Sequence, residues 1–167
     1  MGLLSKPIKT LDDLFVHTLQ DIYYAEQHIT KALPKMISKV SNPDLKQGLQ
    51  DHLEQTRNQV TRVEQVFRMH NQPAKAVTCP AIAGILQEAD EILGDAKDPE
   101  VLDAAAAAAA QAVEHYEIAR YGALRSWAEL VGLDDAADLL ETTLSEDEDT
   151  DALLTDLAEK QANVESA

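Results

Sequence analysis

The chain has 167 residues, a length that suits one domain with a substantial core, and its formal net charge of −16 gives it a strongly acidic surface. Such a surface repels nucleic acid and anionic membranes, so we expect neither as a partner. Hydrophobic residues make up 45% of the chain and aromatic residues only 4%, a mix that favours packed helices over sheets.

Signals for export or membrane insertion are absent from the sequence pattern. Because Cys79 is the single cysteine, an intramolecular disulfide framework is excluded. No apolar run reaches the roughly 18 residues that a membrane span needs. The apolar segment at the start of the chain is also too short for a secretory signal. We therefore expect a cytoplasmic protein, with residues 1–9 forming a flexible N-terminal arm.

The first long helix is predicted from Thr10, a suitable N-cap, to about Val40. Its apolar positions recur at alternating steps of four and three residues, and Glu26 is the one charged residue among them. Pro34 lies inside this pattern and predicts a kink or an early end of the helix. The predicted buried stripe is Phe15, Leu19, Ile22, Glu26, Ile29, Leu33, Met36 and Val40.

A second long helix is predicted over residues 44–70. The polar residues His52, Thr56 and Gln59 lie near its apolar face. Glu54 lies roughly opposite the centre of that face, since each helical residue turns by about 100°. This helix therefore offers polar side chains to the core, but its nearest carboxylate points the other way.

The second half of the chain contains two more long helices. Residues 71–79 lead into a short helix predicted over 80–93, and a connection of this length can cross the end of a bundle. The third long helix is predicted over 99–131, and the fourth from 134 or 135 to about 164. Seven consecutive alanines in the third helix favour helix formation and let neighbouring helices approach closely.

Carboxylates interrupt the apolar faces of both of these helices. Glu114 and Glu117 lie one turn apart in the middle of the third helix stripe. A buried carboxylate is costly unless it is paired, protonated or bound to a metal. The alternative for either residue alone is a solvated position at the edge of the stripe. In the fourth helix, Asp147 falls in the inward series and Glu146 lies at its margin.

The two halves of the chain also match each other as helical hairpins. Glu26 precedes Pro43 by 17 residues, and Glu117 precedes Asp134 by the same number. Matching heights before matching turns predict an all-α four-helix bundle of two antiparallel hairpins, joined by a long crossover that carries the extra short helix. We expect one such domain over residues 10–165, with the inward carboxylates meeting near its centre.

Five segments of the chain resemble a known protein family. The segments are YYAEQ (23–27), HLEQT (52–56), TCPAIAGILQEA (78–89), VEHYEIARYG (113–122) and TLSEDEDTDALLTDLAE (143–159). Over about residues 10–160 the chain is similar to the YciF-type ferritin-like stress proteins, whose biochemical activity is poorly defined. The resemblance implies a ferritin-like four-helix bundle with an additional short helix, a homodimer, and a role in osmotic or general stress.

The resemblance further implies a set of metal ligands. A ferritin-like site takes one Glu from each of two helices and a Glu-x-x-His pair from each of the other two. The single positions match Glu26 and Glu117, whereas Glu54 and Glu146 both lack the following His. Arg57 stands at one of these His positions, and its guanidinium cannot bind a cation. The candidate ligands are Glu26, Glu54, Glu114, Glu117, Glu146, Asp147 and, as a substitute nitrogen ligand, His52.

Carboxylate-rich sites suit hard cations, and we expect iron or manganese, with two ions if the site is intact and with no organic cofactor. Three functions stay open at this point. The first is a metal-binding stress protein with peroxide-directed oxidoreductase activity. The second is a non-catalytic bundle that acts through a homodimer or another partner and has a degenerate metal site. The third is iron storage, which needs a cage and not a small dimer.

Overall fold

The computed structural model describes residues 7–162, with side chains described as far as residue 160, and every regular element within that range is helical. The elements are α1 (Leu11–Lys39), α2 (Pro43–Met69), α3 (Pro80–Asp95), α4 (Pro99–Leu130), α5 (Asp134–Leu157) and a final π-helical turn (Ala158–Ala162). The predicted all-α class is confirmed, and the predicted helix bounds lie close to the observed ones. Most of the arm predicted for residues 1–9, and the last residues of the domain predicted for 10–165, lie outside the described residues.

The four long helices form a bundle in which each one packs against two neighbours. Consecutive helices pair as hairpins, α1 with α2 and α4 with α5, and the hairpins join through contacts of α2 with α5 and of α1 with α4. The short helix α3 lies in the crossover and packs against α4 and α1. This is the predicted ferritin-like arrangement, and it directs one face of every long helix toward a shared interior.

Side-chain caps explain where three of the long helices begin. The Thr10 hydroxyl accepts a hydrogen bond from the Asp13 backbone N–H at 3.0 Å, and the Asp13 carboxylate accepts one from the Thr10 N–H at 3.1 Å. This reciprocal pair is a capping box, and it satisfies backbone donors that the first turn leaves free. Asn42 and Asp98 cap α2 and α4 in a similar way, each followed by a proline in the first turn.

A glycine and a proline affect the helix backbone in different ways. Gly132 ends α4 with a φ of +79°, a left-handed conformation that glycine adopts without a steric penalty. Pro34, in contrast, does not end its helix, because α1 continues to Lys39. Of the two alternatives predicted at Pro34, a kink or an early end, the early end does not occur. Burial of Leu33 and Met36 against the core compensates for the backbone hydrogen bond that proline removes.

Asp103 ties the two hairpins together at one end of the bundle, a role that sequence analysis did not identify. Its buried carboxylate accepts hydrogen bonds from the Ser41 N–H at 2.8 Å, the Ser41 hydroxyl at 2.6 Å and the Asn42 N–H at 2.8 Å. These donors belong to the turn between α1 and α2, so α4 satisfies backbone groups that the turn cannot satisfy itself. Within the described residues, no helix is both long enough and apolar enough to cross a membrane.

Candidate metal centre

All four long helices contribute an ionisable side chain to one region of the bundle interior. The five residues are at most 2% exposed to solvent, and they are Glu26 from α1, His52 from α2, Glu114 and Glu117 from α4, and Asp147 from α5. We call this set the core cluster. Each member lies in an apolar stripe at helical spacing, so packing of the stripes carries the polar groups inward with them. The solvated alternative for Glu114 and Glu117 does not hold in this structure.

Three members of the core cluster lie close enough together to share a cation. One ligand atom from each of His52, Glu114 and Glu117 lies within 4.8 Å of the other two. Two ligands bound to one ion at about 2.1 Å can be no more than about 4.2 Å apart. Only small side-chain movements would therefore bring these three atoms onto one ion.

Several polar atoms of the core cluster make no hydrogen bond in the structure. His52 Nδ1 lies 2.9 Å from Glu114 Oε1, and His52 Nε2 lies 3.8 Å from Glu117 Oε2, but neither contact has hydrogen-bond geometry. Both oxygens of Glu114 and both oxygens of Glu117 also have no hydrogen-bond partner among the described residues. Unsatisfied buried polar atoms of this kind call for an ion, water or protons. A set of carboxylate oxygens and one imidazole fits iron or manganese as a donor set.

Two further members have one partner each and one free oxygen. Tyr121, itself fully buried, donates its hydroxyl proton to Glu26 Oε1. Gln59 donates from its amide nitrogen to Asp147 Oδ1 at 2.7 Å. The second oxygen of each carboxylate, Oε2 and Oδ2 respectively, has no partner. Each carboxylate is therefore held in place through one oxygen while the other remains available to a ligand.

Burial and mutual repulsion change the proton affinities of the core cluster. Burial, with the negative charge of Glu26, raises the pKa of Asp147 from 3.8 to about 9. Burial raises the pKa of Glu117 to about 8, against the opposing effect of His52, and burial with the charge of Glu117 raises the pKa of Glu26 well above 4.5. Burial alone would lower the pKa of His52, but its contacts with Glu114 and Glu117 raise it to about 10. At neutral pH the cluster therefore holds protons, which a cation would displace.

The structure does not bring every predicted site residue to the core cluster. Glu54 is 67% exposed and pairs with the similarly exposed Arg57 on the outer face of α2. The exposed position of Glu54 follows from the helical phase, which placed it opposite the apolar face. Matching Glu54 to the ferritin-like ligand pattern did not take this phase into account. Glu146 is 28% exposed and pairs with Arg62 at the edge of the bundle. His115, the residue after Glu114, is 68% exposed and lies 3.2 Å from Asp151, outside the core cluster.

Arg62 is the site-adjacent residue that sequence analysis missed. It lies on α2 one turn after Gln59, at the margin of the apolar face, so helical spacing alone gave a weak signal. Its side chain is long enough to reach α5, where it contacts Glu146. A long cation at a stripe margin, opposite an acidic helix, is the pattern that would have identified it.

A four-helix bundle whose interior gathers carboxylates and an imidazole from all four long helices belongs to the ferritin-like class. Residues 10–167 match the family model described as "Domain of unknown function (DUF892)". The chain is 45% identical to protein YciF of Escherichia coli over 157 residues, which cover 93% of this chain and 95% of that protein. The chain therefore belongs to the DUF892 family, together with YciF, as the resemblance implied.

Solved structures of similar proteins share the fold. The crystal structure of the E. coli stress protein YciF matches with a TM-score of 0.89 at 45% identity, over 93% of this chain and 99% of that chain. A Rhodopseudomonas palustris protein named YcfI, described as a candidate structural protein, matches with a TM-score of 0.88 at 54% identity, over 92% and 98%. A protein from Xanthomonas campestris shares the fold at 23% identity, with a TM-score of 0.73 over 90% and 92%.

Proposed function

We propose that this chain is a ferritin-like stress protein that binds iron or manganese in the interior of its bundle. The observation that carries the proposal is the core cluster, whose buried carboxylate oxygens and imidazole nitrogens include many that make no hydrogen bond. His52, Glu114 and Glu117 would hold a first ion, because their ligand atoms are already within 4.8 Å of one another. Glu26 and Asp147 offer free oxygens for a second ion.

Iron or manganese held by these residues would supply redox chemistry, which we expect to be directed toward peroxide. The surrounding residues prepare the site for it in distinct ways. Tyr121 holds Glu26 through its hydroxyl, and Gln59 holds Asp147 through its amide, so both carboxylates are oriented before an ion arrives. Complete burial of the Glu114 and Glu117 carboxylates excludes water and strengthens every charge interaction in the site.

A non-catalytic role through association is the second candidate. It is favoured by the donor set itself, because the core cluster contains one histidine where the general ferritin-like di-metal site has two. A poor donor set lowers metal affinity and leaves redox chemistry weakly tuned. In this second candidate function, the bundle acts as a scaffold for a second copy of the chain or for another protein.

Metal analysis of the full chain, purified without chelators, tests the proposal. We expect one to two equivalents of iron or manganese per chain and consumption of hydrogen peroxide by the loaded protein. After removal of the metal, added Mn²⁺ at about 100 times its Kd is expected to stabilise the fold by ~2.7 kcal/mol. That is ~5–10 °C in Tm for a chain of this size. Protein without metal, and with a Tm indifferent to Mn²⁺ and Fe²⁺, would contradict the metal proposal and support association alone.

A homodimer and a cytoplasmic location are part of the same proposal. The homodimer is implied by the family resemblance, and the cytoplasmic location is the expectation drawn from the sequence. Sedimentation of the loaded protein separates the remaining alternatives, because iron storage requires a large cage whereas the proposed protein is a small dimer.

A further inference from the structure

A buried polar path connects the core cluster to the edge of the bundle between α2 and α5. At its outer end, the Arg62 guanidinium donates two parallel hydrogen bonds of 2.9 Å each to Glu146, one to each carboxylate oxygen. Arg62 also donates to the Thr143 hydroxyl at 2.7 Å. The Arg62 side chain is 17% exposed and that of Glu146 28%, so solvent reaches this end of the path.

Gln59 connects this outer pair to the buried part of the cluster. Its amide nitrogen lies 3.2 Å from Glu146 Oε2 and 2.7 Å from Asp147 Oδ1, and it donates to both. The amide oxygen of Gln59 is buried and has no partner, and the same is true of Asp147 Oδ2. Rotation of the amide would replace its two donor hydrogens by that oxygen, which is a ligand for hard cations.

The other arginine–glutamate pairs of the described residues have no contact with the core cluster. Arg57 pairs with Glu54, and Arg125 pairs with Glu129 and Glu141, all on exposed faces. The Arg62–Glu146 pair differs, because Glu146 Oε2 accepts a hydrogen bond from the Gln59 amide, which also donates to Asp147 of the core cluster. It also lies in the most acidic stretch of the chain, residues 146–151, where the local potential attracts cations.

We propose that Glu146 is the receiving site for the divalent cation on its way to the core cluster, and that Arg62 keeps this site closed until a cation displaces its guanidinium. The inference rests on the proposed function. A cation on Glu146 would need to move only past Gln59 to reach Asp147, and Gln59 carries an unpartnered oxygen on that route. The guanidinium and the cation compete for the same two carboxylate oxygens.

Loading and release rates of Co²⁺ test this role, followed by stopped-flow absorbance of the metal-free full chain. Glu146→Gln removes the receiving charge and is expected to slow loading by about tenfold, because a local charge raises the association rate of an oppositely charged ion. Release into excess chelator should slow by a similar factor, since the ion leaves by the route it entered. Loss of a ligand would have the opposite effect on release, which would become faster. Glu141→Gln, which alters an exposed arginine-paired glutamate on the same helix, is the matched control.

Arg62→Gln is the complementary variant, with Arg125→Gln as its control. Removal of the guanidinium is expected to speed both loading and release by about tenfold, while the final number of ions per chain stays that of the wild type. Rates for Glu146→Gln that equal those of Glu141→Gln would overturn the inference while leaving the metal centre intact, as would faster release from Glu146→Gln. Failure of the wild type to take up Co²⁺ would instead contradict the proposed function itself, and the inference with it.

Discussion

Replacing Glu117 by Gln is expected to lower the affinity of the protein for Mn²⁺ by about a hundredfold or more, since loss of an outer partner of a metal ligand alone costs 10–100-fold. Glu117 lies among Glu114, His52 and the remaining carboxylates, and neither of its oxygens makes a hydrogen bond, although Oε2 lies 3.8 Å from His52 Nε2. The metal-free protein should be as stable as the wild type near pH 7.5, or more stable by ~1 kcal/mol, because the amide has the shape of the carboxyl group without its ionisation. Isothermal titration and thermal unfolding measure the two effects.

Glu54→Gln is the matched control for this variant, since Glu54 is 67% exposed on α2. It should change neither the Mn²⁺ affinity nor the Tm of the metal-free protein. Alanine variants of Glu26 and Glu117 should also lose metal, but they leave cavities that lower stability for an unrelated reason. An unchanged affinity for Mn²⁺ in Glu117→Gln would remove this residue from the centre.

Metal-free protein is expected to lose stability as the pH rises from about 5 to about 9. The pKa of Asp147 is raised from 3.8 to about 9, that of Glu117 from 4.5 to about 8, and that of His52 from 6.5 to about 10. The folded state therefore binds more protons than the unfolded state across this range. The corresponding stability is complete below the unfolded pKa values and is lost as the pH passes through the folded ones. A decrease on the order of a few kcal/mol, or ~10 °C in Tm, is expected.

Calorimetric scans in chelator and in Mn²⁺ provide the measurement. Because the cation replaces the protons, the stabilisation by Mn²⁺ should grow as the pH rises over the same range. Asp147→Asn removes one of the raised pKa values and should flatten the pH profile of the metal-free protein. A metal-free Tm that is constant or rises between pH 5 and 8 would contradict the assignment of protons to the core cluster.

Helical periodicity was sufficient to predict the fold and most of the core cluster. In a bundle of long amphipathic helices the apolar stripe must face inward, so a carboxylate within the stripe is carried inward with it. Glu26, Glu114, Glu117 and Asp147 were found in this way, and all four are buried. His52 was assigned near the apolar face of α2, and it is buried among them.

Side-chain reach and tertiary compensation could not be predicted from the pattern. Glu54 matched the family position for a ligand, but the phase of α2 directs it to solvent. Arg62 reaches α5 from a marginal position, and Asp103 accepts three hydrogen bonds from a turn more than 60 residues away in sequence. Pro34 predicted a kink or an early end, and the helix continues through it with buried residues on both sides. Each of these outcomes depends on which residues of a neighbouring helix lie opposite, and the spacing of residues along the sequence carries no information about those neighbours.

Anomalous diffraction at the manganese edge, from crystals of the full chain grown with Mn²⁺, tests the metal centre most directly. We expect a peak in the bundle interior at about 2.0–2.3 Å from ligand atoms of His52, Glu114 and Glu117. A second peak beside Glu26 and Asp147 would mark a two-ion site. Peaks confined to exposed carboxylates such as Glu148 and Asp149, with none among the buried ones, would contradict it.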